Sequence, residues 1–152
     1  MKSHRLLLLA LLLSAGCAIP RWPVDGTLTS PFGLRADGLR LGVHRGVDIA
    51  VPAGTPIRAM TPGTVVFASS MSGYGRVVIL DHGGGTRSLY AHLAEIRVER
   101  GQRLTDRAVI GLAGSSGNAT GAHLHFEILR GGGAEDPVPL LGGFPRPPAR
   151  TP

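Results

Sequence analysis

Short apolar and β-branched runs recur along the chain between clusters of Gly and Pro. Thr64 to Ala68, Arg76 to Asp81, Thr86 to Leu93, Ala108 to Ala113 and His123 to Leu129 are fairly evenly spaced, which predicts an antiparallel sheet or sandwich. Alternation along a strand assigns the faces. In the last run Leu124, Phe126 and Ile128 form a core face, and His123, His125 and Glu127 form a polar one. By the same rule Leu89, Ala91 and Leu93 oppose Ser88, Tyr90 and His92, so a third imidazole joins a polar face. Leu89, Leu93 and Ile96 also have helical spacing in a stretch free of Gly and Pro, which predicts a short helical turn near Ala94.

The ends of the chain have a different pattern. Residues 1–5 are basic, Leu6 to Leu13 is an unbroken apolar run, and small residues lead to Cys17, the three parts of an export signal over residues 1–16. The apolar stretch is too short for a membrane span, which needs about 20 residues. The small residues before Cys17 resemble a bacterial lipobox, although Ser14 stands where Leu is usual. That resemblance implies a lipid anchor at Cys17 as the sole membrane attachment, and Ala18 after it implies an outer-membrane lipoprotein facing the periplasm. Residues 17–24 then read as a tether, 25–141 as one working domain, and 142–152 as a Pro-rich disordered tail.

Composition limits the alternatives. The 152 residues include 23 Gly and 12 Pro, close to a quarter of the chain, so long helices are disfavoured. An apolar content of 43% still supports a packed core. The net charge of +6 is carried almost wholly by Arg, since Lys2 is the only lysine. On an exported domain a modest Arg excess argues for an anionic envelope polymer and against nucleic acid. The single Cys excludes an internal disulfide and any site built from several cysteines.

Histidine carries the chemistry. Of six, His4 leaves with the leader; His44, His82, His92, His123 and His125 remain. His44 and Asp48 form an HxxxD in a loop entering a strand, and His123 and His125 form an HxH. Two His and one carboxylate leave a tetrahedral Zn²⁺ with an open fourth position, the set expected of a catalytic site. The same set suits non-haem Fe(II), so residue types alone leave the metal open. The helical HExxH of zincins is absent.

TSPFGLR (Thr29 to Arg35), HRGVDIAVPAGTPIRA (His44 to Ala59), GYGRVVILDH (Gly73 to His82), YAHL (Tyr90 to Leu93) and SGNATGAHLHFEI (Ser116 to Ile128) occur in that order. The chain thereby resembles the lysostaphin-type, or LytM-like, zinc metallopeptidases, which cut peptidoglycan peptides. The resemblance implies an all-β fold, an antiparallel sheet or sandwich of the LytM-like (duplicated hybrid motif) type with little helix. It implies one Zn²⁺ held by His44, Asp48 and His125, with His92 and His123 as the metal-free catalytic pair. The implied activity is endopeptidase cleavage of stem or cross-bridge peptides. A non-catalytic wall-binding or amidase-activating member of the same family is the alternative. Ala122, where Pro commonly precedes the HxH, is a departure that touches no ligand. His82 is expected to serve core or supporting hydrogen bonds.

Overall fold

The computed structural model describes residues 18–37 and 40–147; the leader and Cys17 lie outside them. In chain order the strands are β1 (Thr27–Ser30), β2 (Gly33–Asp37), β3 (Arg40–His44), β4 (Val47–Ala50), β5 (Pro56–Arg58) and β6 (Gly63–Met71). They continue with β7 (Gly75–Asp81), β8 (Thr86–Ile96), β9 (Arg103–Leu104), β10 (Val109–Ala113), β11 (His123–Arg130) and β12 (Gly133–Glu135), before one short helix, α1 (Pro137–Leu140). The expected all-β architecture is borne out, and the five expected runs fall on β6, β7, β8, β10 and β11.

A single antiparallel sheet follows the order β1-β4-β11-β8-β7-β6-β9; β10 joins β5 to β8, and β12 pairs with β11. Strands β2 and β3 form a separate ribbon. In the centre, Leu124 pairs with Ile49, His125 with Asp48 and Phe126 with Val47, while on its other side β11 pairs Phe126 with Tyr90 and Glu127 with Leu89. Directly paired residues share a face. Val47, Ile49, Tyr90, Leu124 and Phe126 therefore meet in the main core, where the Tyr90 and Phe126 rings lie 5.3 Å apart. Cutting Phe126 back to Ala would cost about 3–5 kcal/mol.

The faces of β11 are as expected, but those of β8 are not. Ser88 and Tyr90 are wholly buried, and Tyr90 belongs to the main core, while Leu89 and Ala91 form a smaller cluster with Val77 on the opposite face. Nor does the chain turn helical near Ala94: strand pairing continues to Ile96, which faces Gly111. Both corrections have one cause. Between the pairs Val78–Tyr90 and Arg76–Leu93, β8 has one extra residue, and between Leu112–Glu95 and Ala113–Leu93 it has another. These bulges shift the alternation twice. Tyr90, Leu93 and Ile96 then face the main core at intervals of three, imitating a helical period.

The segments expected as tether and tail are partly fastened down. Val24 is buried, Trp22 lies 6.2 Å from Phe126 between ring centroids, and Trp22 Nε1 donates to Gly143 O at 2.9 Å. Just past the first segment, Gly26 N donates to Arg146 O at 2.7 Å, fastening the second to the domain.

Candidate metal centre

Strand pairing brings the HxxxD and HxH motifs together. Asp48 and His125 are directly paired across β4 and β11, so their side chains leave the sheet side by side. His44 closes the set from the end of β3. The intervening turn runs so close to β11 that a Cβ on Gly46 would lie 2.3 Å from Phe126 O, and only Gly fits.

The ligand atoms converge. Asp48 Oδ1 is 2.8 Å from His125 Nδ1 and 3.2 Å from His44 Nε2, and those two nitrogens are 3.1 Å apart. A tetrahedral ion with bonds of about 2.0–2.1 Å needs neighbours roughly 3.3 Å apart, so the triangle is close to the size zinc requires. His44, Asp48 and His125 fit a zinc site.

Each of the three has a second partner. His44 Nδ1 donates to Pro31 O at 2.7 Å, which leaves Nε2 with a lone pair facing the centre. His125 Nε2 donates to Glu127 Oε1 at 3.0 Å, which does the same for Nδ1. Asp48 Oδ2 accepts from Arg35 Nη2 at 2.5 Å. Such partners fix the tautomer and aim of a metal-binding imidazole. Glu127 is 1% exposed and also accepts from the Tyr74 hydroxyl at 2.8 Å.

The electrostatics follow from these contacts. Burial works against charge on Asp48, but hydrogen bonds from His125, His44 and Arg35 outweigh it and hold the carboxyl far below its usual range. Glu127 behaves alike: burial opposes its charge, and His125 and Tyr74 more than compensate. The Tyr74 hydroxyl is pushed up to about 12 by burial and by its carboxylate partner, so it stays a neutral donor. On His125 burial is overcome by the two carboxylates, which favour positive charge between them. A divalent cation meets that demand.

His92 and His123 lie beside this triangle, their ring centroids 4.7 Å apart. Each bonds a backbone carbonyl through Nδ1, His92 to Ser116 O at 2.8 Å and His123 to Gly121 O at 2.9 Å. Nε2 of His123 is 3.9 Å from Asp48 Oδ1. Burial, reinforced by the neighbouring imidazoles, lowers the pKa of His92 and keeps it neutral. In a regular strand His92 would share the core face of Tyr90. It is instead left-handed, with φ of 61°, and the bulge swings its ring to the side of His123 and His125. Alternation thus led to the right neighbourhood for His92 through two errors that cancel.

All five expected site residues therefore line one cleft of about 430 Å³. Arg35, Tyr74, Glu127 and the Ser116 carbonyl were given no role by sequence reasoning. Only Glu127 had a usable signal, lying in phase with His123 and His125. The loop that supplies Ser116 O is pressed onto β7, with Gly117 at φ of +73° and so near Gly75 that a Cβ would lie 2.3 Å from its nitrogen.

Residues 42–137 match a family described as peptidase family M23. The chain belongs to this family. It is 39% identical over 113 residues to the DD-carboxypeptidase/endopeptidase Mpg of Neisseria meningitidis, covering 73% of this chain and 26% of the relative. To the murein hydrolase activator EnvC of Escherichia coli it is 37% identical over 134 residues, covering 85% of this chain and 31% of the relative. The chain thus spans between a quarter and a third of these relatives. A zinc-containing peptidase from Vibrio cholerae superposes with a TM-score of 0.75 at 30% identity, covering 84% of this chain and 40% of that one. The catalytic domain of lysostaphin from Staphylococcus simulans gives 0.71 at 32% identity over 76% and 92% of the two chains. The lysostaphin-type resemblance expected from the motifs is borne out, and this M23 domain has the family's antiparallel architecture.

Proposed function

We propose that this M23 protein is a zinc-dependent endopeptidase that hydrolyses amide bonds in peptidoglycan stem or cross-bridge peptides. The observation that carries the reading is the convergence of His44, Asp48 and His125 beside two imidazoles whose Nε2 atoms hydrogen-bond to none of the described residues. Zinc held there supplies Lewis acidity, polarising the scissile carbonyl and acidifying a water. His92, kept neutral by burial, is the base: its Nδ1 is fixed on Ser116 O, and Nε2 takes the proton of the attacking water and returns it to the leaving amine. His123, its Nδ1 held on Gly121 O, stands beside His92 to stabilise the developing oxyanion. Glu127 and Arg35 hold His125 and Asp48 in place. The names of the Neisseria and Staphylococcus proteins support peptide hydrolysis.

Residues 1–17 complete the reading as an export signal with lipidation at Cys17, which sets the domain in the cell envelope, at the outer membrane facing the periplasm. A second reading, a non-catalytic activator, draws on the likeness to EnvC. One experiment separates them. Purified mature protein should hold about one zinc and shorten cross-linked muropeptides, and His125→Ala should do neither. Zinc-loaded protein that leaves every cross-linked muropeptide intact across a range of pH would overturn the endopeptidase and favour the activator.

A further inference from the structure

Charge is distributed unevenly around the cleft. Among the described residues its charged lining, the histidines aside, is Arg35, Arg45 and Asp48, and Gly73, Asn118, Ala119 and Thr120, which also line it, carry no charge. Asp48 is committed to the metal site. Glu127 is buried, and its Oε1 already accepts from both Tyr74 and His125. Among the described residues that line the cleft, no carboxylate besides Asp48 is present, and a divalent ion bound there would make the surface more positive still.

The two arginines differ in what they have left to give. Arg35 is engaged with Asp48 Oδ2 and the Ser30 hydroxyl and lies against the His44 ring. Arg45 is not so engaged. Its side chain is 55% exposed, its closest ionic partner is Glu127 Oε2 at 3.9 Å, beyond hydrogen-bond reach, and it donates no side-chain hydrogen bond to any described residue. A planar guanidinium with free paired donors at the edge of a cleft matches a carboxylate, which it can bind through two parallel hydrogen bonds. Its place in the chain, directly after His44, puts it next to the reacting centre.

We propose that Arg45 is a specificity-determining residue: it receives a carboxylate carried by the peptide beside the bond that is cut, so acidic stem peptides are preferred over uncharged segments such as glycine bridges. This rests on the endopeptidase reading. The carboxylate can be a chain terminus or a side chain, and the chemistry at Arg45 is the same for both.

The test uses zinc-loaded mature protein and a cross-linked stem peptide in three forms: all carboxylates free, the C-terminal carboxylate amidated, and the side-chain carboxylate next to the scissile bond amidated. Wild-type protein should lose about ten- to a hundredfold in kcat/KM, chiefly through KM, on amidation of one carboxylate, and the affected form identifies which one. In Arg45→Gln the ratio between free and amidated peptide should fall toward one, and Arg45→Lys should restore part of it. The variant's zinc content and melting temperature confirm an intact fold. Equal cleavage of all three peptides by wild type, or an undiminished preference in Arg45→Gln, overturns the role of Arg45 and leaves the endopeptidase standing. If none of the peptides is cut, the endopeptidase reading fails and the inference fails with it.

Discussion

Two polar clusters that contain histidine sit in this small domain, one with four at the cleft and one around His82 that takes in Ser88 and Tyr90 of β8. At the cleft, His44, His92, His123 and His125 each spend one ring nitrogen on a fixed partner and turn the other toward a common space. At the other group, His82 spends both. Its Nδ1 lies 2.8 Å from Pro62 O and 2.9 Å from Thr61 Oγ1, and its Nε2 lies 2.7 Å from Ser88 Oγ. Ser88 in turn lies 2.8 Å from Tyr90 Oη, which accepts from Met60 N at 2.9 Å. Burial and hydrogen bonding are common to both groups, so neither marks a reactive histidine. A ring nitrogen turned toward a space shared with other ligand atoms does.

The strongest way to break this contrast is to exchange the losses. His125→Ala should remove the bound zinc and reduce muropeptide cleavage by well over the roughly 100-fold that loss of a mere supporting partner can cost. Metal analysis and product mass spectra report both. A His125→Ala protein that keeps a full equivalent of zinc would mean that the triangle of side chains is not the binding site.

Next in size is Glu127→Gln. The amide can still accept from Tyr74, but it no longer supplies the charge that holds the proton on His125 Nε2. Zinc affinity should fall about 10- to 100-fold with the fold retained, as read by competition with a chelator. Smaller again is His82→Ala. It removes one of the two partners of the Ser88 hydroxyl, leaving Tyr90 alone, and should cost about 1–3 kcal/mol of stability. Zinc content and cleavage per bound zinc should not change. If His82→Ala loses metal, the two groups are coupled and the contrast between them fails.

How far this contrast could be read from residues alone depended on range. Which residues of the HxxxD and HxH motifs would hold a metal came from the family resemblance and not from spacing, but the motifs themselves were legible because each is local. The core face of β11 was legible for the same reason. The bulges in β8 were not, because they depend on register with β7 and β10, which local sequence does not state. Arg35, Tyr74 and Ser116 were silent because their partners are far away: Tyr74 meets Glu127 across 53 positions and Ser116 meets His92 across 24. A supporting role for His82 has its physical reason in two filled ring nitrogens.

The smallest expected effect sharpens the contrast through pH. Burial lowers the pKa of His82 below its ordinary 6.5. The unfolded chain therefore binds this proton more readily than the native one. Its effect on stability is favourable in full above pH of about 6.5 and is lost as the pH falls through that value, levelling off below the folded pKa. His92, also lowered, acts in the same direction, and His125, raised, acts oppositely. The carboxylates Asp48 and Glu127, lowered from 3.8 and 4.5, act only at more acidic pH. Subtraction isolates His82. Urea midpoints of wild type and His82→Gln, measured from pH 8 to pH 5, should converge as the pH falls, because wild type loses stability that a residue without a titrating proton cannot lose. Parallel curves would mean that His82 takes up its proton in the folded protein as easily as in the unfolded one. Its two ring nitrogens would then not be held in the neutral form by the fold, and the contrast with the cleft would not hold.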